Sequence, residues 1–322
     1  MERIDVFNGD ADGICALHQL RLAEPAAARL VTGVKRDIRL LTRLGAVRDA
    51  ALVVLDISLA ENRDDLLGLL ARGCHVRYFD HHFAGEIPRH PALEAHIDPA
   101  PSVCTSLIVD SVLGGVHRPW AVTAAFGDNL GESAREAAQG LGYGDAQLGE
   151  LRLLGELLNY NGYGAAIEDL HYPPDELYRA VAPYAEPLAF FHEAPEARRL
   201  RAGYEADLQA ATALRPLLAS PAACVVRFPA EPWARRVMGV YANHLANASP
   251  RRATSIVVDN EDGSLRISVR APKARPQGAD ALCRRFPTGG GRAGAAGINA
   301  LDAAQLPAFL AAFEQAYAAP PA

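Results

Sequence analysis

Apolar positions in the first half of the chain come in short runs that alternate with longer amphipathic stretches. Residues 4–7 form an apolar run that stops at a Gly/Asp turn, and residues 14–23 carry apolar side chains at helical spacing. Residues 51–55 are continuously apolar and end at Asp56, residues 59–70 are amphipathic, and residues 75–79 alternate and end in Asp80-His81-His82. Residues 105–113 and 121–126 are again apolar, the second run ending in Gly127-Asp128. Continuous apolar strands separated by helices predict an α/β domain whose parallel sheet is covered by helices on both faces. Ligands bind such sheets outside the carboxyl ends of the strands, which is where the acidic and histidine residues fall.

The pattern changes further along. Residues 133–213 read as mostly helical, with a break at Tyr172-Pro173-Pro174 and a loop at residues 159–164. Residues 193–214 predict a connecting helix. A second unit begins near Ala222, with strands over residues 224–228, 254–258 and 265–270 and a helix over residues 233–245. The last two strands are joined by a hairpin signal, Asp259-Asn260-Glu261-Asp262-Gly263. Gly289-Gly290-Gly291 and a final helix over residues 303–317 follow, and the Pro-Pro-Ala tail is expected to fray. The expected organisation is a catalytic α/β domain over residues 1–190, a helical linker over 191–220 and a smaller α/β domain over 221–322.

Composition narrows the classes. Half of the 322 residues are hydrophobic, enough for a sizeable core, and the net charge is −6. That balance argues against a surface built for long duplex DNA. Five cysteines with no C-x-x-C spacing exclude a thiolate metal site, and Cys15, Cys74 and Cys104 read as buried side chains in a reducing compartment. The first residues carry no charged segment followed by an apolar one, and no apolar run reaches the roughly 18–20 residues of a membrane span. The expected location is cytoplasmic.

The polar residues at the ends of the apolar runs carry the chemistry. Asn8-Gly9-Asp10-Ala11-Asp12-Gly13 places two carboxylates on different sides of a turn, where they can serve neighbouring cations. Taken alone, Asp10 and Asp12 also fit a calcium loop or an ordinary turn, and Asp56 also fits a helix N-cap, a role open to Ser58 as well. Asp80-His81-His82 reads as a ligand with a supporting partner, or as a turn with a surface histidine. Asp128 repeats the arrangement of apolar run, glycine and carboxylate. Oxygen and imidazole ligands without thiolate suit Mn²⁺ or Mg²⁺, with Zn²⁺, Fe²⁺ and Co²⁺ as alternatives. Two such ions activate water and clamp phosphoryl oxygens, so hydrolysis of a phosphoester or phosphoanhydride is the expected reaction class.

In this order and at these separations, the motifs resemble those of the DHH phosphoesterase superfamily, named for the triplet that stands here as Asp80-His81-His82. That superfamily includes RecJ-type exonucleases, nanoRNases, cyclic-dinucleotide phosphodiesterases and family II inorganic pyrophosphatases. The resemblance implies a manganese-dependent hydrolase holding two Mn²⁺ ions, with Mg²⁺ or Co²⁺ as substitutes. Asp56 would bridge the ions, Asp10 would bind one, and Asp12, His81 and Asp128 the other. Asp80 would support a histidine and His82 would face the reacting phosphate. Ser102, Thr105 and Ser106 match the substrate-side segment, although helix capping is an alternative for them. The C-terminal unit resembles the DHH-associated substrate-binding domain, with Arg270, Gly290, Gly291 and Arg292 as phosphate contacts.

Two positions depart from the family pattern. Asn8 stands where His or Asp is usual, and Arg292 replaces the histidine after the glycine run. Asn8 is a poorer ligand, so it either binds the first ion weakly or holds a water. Lys35-Arg36-Asp37 reads as a solvated helix start, with contact to the substrate as the alternative. The substrate expected is a nucleotide or short single-stranded oligonucleotide, with pyrophosphate hydrolysis and non-catalytic nucleotide binding as alternatives. The sequence is silent on oligomeric state.

Overall fold

The computed structural model describes residues 1–260 and 262–318, and the chain divides into two compact units between Gly203 and Tyr204. The Pro-Pro-Ala tail lies outside the described residues. The first unit opens with β1 (Arg3–Asn8), α1 (Ala11–Ala23), β2 (Arg29–Gly33), β3 (Ala51–Leu55), α2 (Leu59–Ala71), β4 (His75–Asp80) and β5 (Leu93–Ile97). The strands form one parallel sheet in the order β2-β1-β3-β4-β5. Ile4, Val6, Leu52, Val54, Val76 and Tyr78 point to one face and pack on α2 through Leu59, Leu66, Leu69 and Leu70. The alternate positions face α1 on the other side, where Asp5 of β1 pairs with Arg21 of α1. The expected parallel sheet with both faces covered is therefore present, and its edges are β2 and β5, two strands the hydrophobic pattern did not predict.

Helices complete the unit: α3 (Thr105–Val112), α4 (Arg118–Gly127), α5 (Gly131–Ala137), α6 (Asp145–Gly162), α7 (Pro174–Val181) and α8 (Pro187–Glu193), with α9 (Pro195–Thr212) running across the division. Residues 105–113 and 121–126 are thus helical and not further strands. From Trp120 to Gly127 every residue of α4 is buried, so the helix shows no polar stripe, and a short apolar run of this kind cannot be told from a buried strand by periodicity. Helix α1 is buried from Ala11 through Leu20 and packs against α3, α4 and α6. Gly155 lets α6 lie close on α4: a Cβ there would stand 2.1 Å from the Thr123 carbonyl oxygen. Residues 159–162, expected in a loop, form the last turn of α6.

The second unit carries a six-stranded sheet in the order β10-β11-β9-β8-β7-β6, made of β6 (Leu218–Ala219), β7 (Ala223–Phe228), β8 (Ala253–Asp259), β9 (Leu265–Arg270), β10 (Gly289–Arg292) and β11 (Ala295–Leu301). Only β7 and β8 run parallel; they are linked by α10 (Pro232–Ala248). Tyr241 and Trp233 of α10 stack near Phe228 on one face. The other face buries Val225, Ile267, Val269 and Ile298 under α11 (Ala279–Cys283) and α12 (Leu306–Tyr317). The glycine run is not a free turn but the edge strand β10.

Candidate metal centre

The turn between β1 and α1 builds the first part of the site. Asp10 is the N-cap of α1, and its Oδ1 accepts the Asp12 and Gly13 N–H groups at 3.0 and 3.2 Å. Gly13 must lack a side chain, because a Cβ would stand 2.1 Å from the Asn8 carbonyl oxygen. One residue into the helix, Asp12 is fully buried and points at the start of α3. Its two carboxylate oxygens accept the Thr105 and Ser106 N–H groups, each at 2.7 Å. An anion at a helix N-terminus satisfies free donors there, and each oxygen keeps a second lone pair. Thr105 and Ser106 therefore position carboxylates: the Thr105 hydroxyl donates to Asp56 Oδ1 at 3.2 Å and the Ser106 hydroxyl to the Asp12 carbonyl at 2.9 Å. Ser102 is exposed in the preceding turn.

Asp56 follows β3 with φ at 59°, in the left-handed region that Asp tolerates better than most residues. Ser58, not Asp56, caps α2. His81 follows β4; its Nδ1 lies 2.9 Å from the Val103 carbonyl oxygen, so the proton there fixes the tautomer that presents the Nε2 lone pair. Nε2 faces Asp56 Oδ1 at 3.4 Å and Asp128 Oδ2 at 3.7 Å. Asp80 is buried and holds His82 Nδ1 at 2.7 Å, while its Oδ2 has no hydrogen-bond partner among the described residues. Asp128 comes from the carboxyl end of α4, not from a strand.

The feature the sequence reading missed is Lys35. It is not a solvated helix start. It follows β2 and sends its ammonium into the cluster, onto Asp10 Oδ2, Asn159 Oδ1 at 2.9 Å and Asp128 Oδ1 at 3.3 Å, with the Tyr163 ring 5.5 Å away. Burial works against the charged ammonium, but Asp10, Tyr163 and Asp128 outweigh it and hold its pKa well above the lysine range. Burial likewise raises the Asp10 carboxyl, yet the Lys35 charge outweighs it and Asp10 ends below its ordinary value. Asp56 is pushed well up, by burial first and then by Asp10, Asp12 and Asp128. Asp128 is raised by burial, Lys35 offsetting part of it. Burial lowers His82, but its bond to Asp80 leaves a net rise. Only the strand end before Lys35 could have signalled it, and β2 is a short edge strand with Arg and Thr in it.

The residues fit one divalent ion. Ligand atoms of Asp12, His81 and Asp128 lie within 4.8 Å of one another, as do those of Asp56, His81 and His82. Carboxylates with an imidazole suit a hard ion such as Mn²⁺ or Mg²⁺, and the crowding that raises Asp56 is relieved by a cation. The position expected between Asp10 and Asn8 does not fit a second ion. The free oxygen of Asp10 faces the Lys35 ammonium, and the neutral Asn8 amide donates to the Lys35 carbonyl at 3.2 Å, leaving Asn8 Oδ1 without a hydrogen-bond partner among the described residues.

In the second unit, Arg270, Ala295 and Arg292 stand side by side on β9, β11 and β10, and one step along stand Ser268, Gly297 and Gly290. Cross-strand neighbours share a face, so two arginines flank a nearly side-chain-free strip. Arg270 is oriented by Asn243 Oδ1 at 3.1 Å and Ser268 Oγ at 3.0 Å, while Arg292 is exposed. Gly291, next along β10, alternates to the opposite face and has φ at 136°.

A parallel α/β sheet with carboxylates and an imidazole gathered at its carboxyl ends, followed by a second α/β unit, places the chain among two-unit α/β proteins with a candidate metal centre. Residues 221–319 match the DHHA1 domain. The whole chain has the fold of a manganese-bound exonuclease RecJ, at 21% identity and TM-score 0.62, covering 99% of this chain and 91% of that one. A second likeness is RecJ in complex with Mn²⁺ from Thermus thermophilus, at 20% identity and TM-score 0.64; the chain is covered to 99% but spans only 52% of that protein. A third is the pGpG-specific phosphodiesterase PggH from Vibrio cholerae, at 14% identity and TM-score 0.58, covering 98% of this chain and 99% of that one. No curated protein matches the chain by sequence. The match to the DHHA1 domain supports the resemblance for the C-terminal unit, and for the rest of the chain the likeness is one of fold. No helix among the described residues is long and apolar enough to cross a membrane.

Proposed function

We propose that the chain is a divalent-metal-dependent phosphodiesterase acting on a nucleotide or short oligonucleotide. The observation that carries this reading is the convergence of Asp12, Asp56, His81 and Asp128 from four separate segments, with His81 Nε2 aimed at two carboxylates. Two proteins of this fold are an exonuclease and a pGpG-specific phosphodiesterase, which supports nucleic acid or nucleotide as the substrate class. Manganese in the RecJ structures supports Mn²⁺ as the ion. An ion so held supplies Lewis-acid polarisation of a phosphoryl oxygen and activation of water. The protein's own groups do the rest. Thr105 and Ser106 fix the ligands, His82, raised by Asp80, offers a proton-bearing ring toward a phosphate, and Lys35 keeps Asp10 neutralised. In the second unit, Arg270 and Arg292 offer guanidinium groups to a phosphate of a nucleotide or short strand. Five unpaired, buried cysteines fit a reducing, cytoplasmic setting.

The test is a panel of pGpG, short oligoribonucleotides, single-stranded DNA, cyclic dinucleotides and pyrophosphate, assayed with Mn²⁺ and with chelator. An Asp56→Ala protein prepared in parallel controls for contaminants. Cleavage of a phosphodiester that disappears in both controls is the expected result; cleavage that survives both would overturn the reading.

A further inference from the structure

The cation position expected beside Asp10 is filled by the chain itself. The Lys35 backbone N–H donates to the Gly162 carbonyl at 2.9 Å, and its carbonyl accepts from Asn8 Nδ2 at 3.2 Å. The peptide is therefore pinned on both sides, and the side chain is directed into the cluster. An ammonium has three hydrogens, and three acceptors surround this one: Asp10 Oδ2, Asn159 Oδ1 and Asp128 Oδ1.

We propose that the Lys35 ammonium stands in for one of the two divalent ions that the motifs imply, so that the centre takes a single ion held by Asp12, Asp56, His81 and Asp128. The inference rests on the metal-dependent reading above and changes its metal count. Three observations carry it. A divalent ion on the free oxygen of Asp10 would touch the ammonium, and like charges in contact repel. Asn8 offers no charge, and its amide nitrogen is the atom turned to Lys35. Asp128 divides its carboxylate, Oδ1 toward Lys35 at 3.3 Å and Oδ2 toward His81 Nε2 at 3.7 Å, so one side chain already spans the two cation positions. What is left is a donor set for one hard ion with positions open to water and a substrate oxygen. Lys35 differs from an ion in one consequence: no chelator removes it, and Asp10 stays paired in the metal-free protein.

The test is a Mn²⁺ titration of the metal-free full chain, read by metal analysis after desalting and by electron paramagnetic resonance. The wild-type chain is expected to bind one Mn²⁺ and to show the six-line spectrum of an isolated ion. A chain carrying Lys35→Ala with Asn8→Asp is expected to bind two and to show the spectrum of a coupled pair, while Lys35→Arg stays at one. Two ions in the wild type would overturn the proposal and leave the metal-dependent reading standing. No bound ion, together with no Mn²⁺-dependent cleavage, would overturn both. One ion in a folded double variant would remove Lys35 as the reason. If the double variant does not fold, the wild-type count decides alone.

Discussion

Asp12 and Ser106 are joined twice: Asp12 Oδ1 accepts the Ser106 N–H at 2.7 Å, and the Asp12 carbonyl accepts the Ser106 hydroxyl at 2.9 Å. Helices α1 and α3 are thereby locked at the point where a proposed metal ligand projects. Ser106→Ala leaves the backbone bond and removes the second hydrogen bond to a carbonyl that α1 already uses, so stability falls by about 1 kcal/mol in urea unfolding. The ligand stays in place, and the rate at saturating Mn²⁺ changes by less than about threefold, under 1 kcal/mol of barrier.

Asp56 is held where its charge is least welcome, buried among Asp10, Asp12 and Asp128. Its folded pKa lies above the ordinary value of 3.8, so the folded metal-free chain binds a proton that the unfolded chain releases. Stability of the metal-free protein therefore drops as pH rises above that value, until the folded carboxyl also ionises. Asp56→Asn suits the same backbone conformation and removes the repulsion. In chelator at pH 7 its thermal midpoint is higher than wild type, by roughly 1 kcal/mol of stability or more. Its cleavage rate falls at least about 10²-fold, since a ligand is gone.

His18 is buried against Trp120, ring centroids 4.6 Å apart, with Nε2 2.7 Å from the Tyr184 carbonyl oxygen. Burial chiefly pulls its pKa from 6.5 down to about 4. Between those values the unfolded chain takes up a proton that the folded chain refuses, so stability is lost as pH falls from 6.5 toward 4, by an amount on the order of 3 kcal/mol. Below about 4 this loss stops growing. His18→Leu removes that part of the slope, seen by comparing denaturation midpoints of both proteins across the same pH range.

Gly155 ties a packing detail to the site. A Cβ at this position would also stand 2.8 Å from the Gly127 nitrogen, immediately before Asp128. Gly155→Ala pushes α6 from α4, costs about 3 kcal/mol by overpacking, and shifts Asp128 relative to Asn159 and Lys35. Calorimetry is expected to show weaker Mn²⁺ binding alongside the lower stability.

Arg292 is exposed on β10 beside the glycine strip. Arg292→Ala is expected to raise KM for a short oligonucleotide about tenfold with kcat within about twofold, the signature of lost binding shared by ground and transition states. An equal fall in kcat would place Arg292 at the reacting phosphate instead.

The candidate cluster was legible because each of its residues lies next to a local signal: a strand end, a Gly/Asp turn, a histidine pair. Asp10, Asp12, Asp56, His81 and Asp128 do meet in space. Lys35 was not legible, since its role depends on Asn159 and Asp128, far along the chain, and on β2, whose Arg29 and Thr32 blur the apolar pattern of an edge strand. Helix α4 was mistaken for a strand because burial on all sides removes the polar stripe that marks a helix, and α3 because it is only eight residues long with an apolar centre. The glycine run was recognised, but its pairing with β11 is a non-local fact that no turn residue announces.

The most direct measurement is the initial rate of pGpG cleavage against free Mn²⁺, for the wild type and for His81→Ala. The wild-type rate is expected to be nil in chelator, to rise to a plateau, and to fall at least about 10²-fold at that plateau in His81→Ala. A rate that persists in chelator, or a His81→Ala protein with the wild-type curve, would contradict a metal centre built on His81 and its three aspartates.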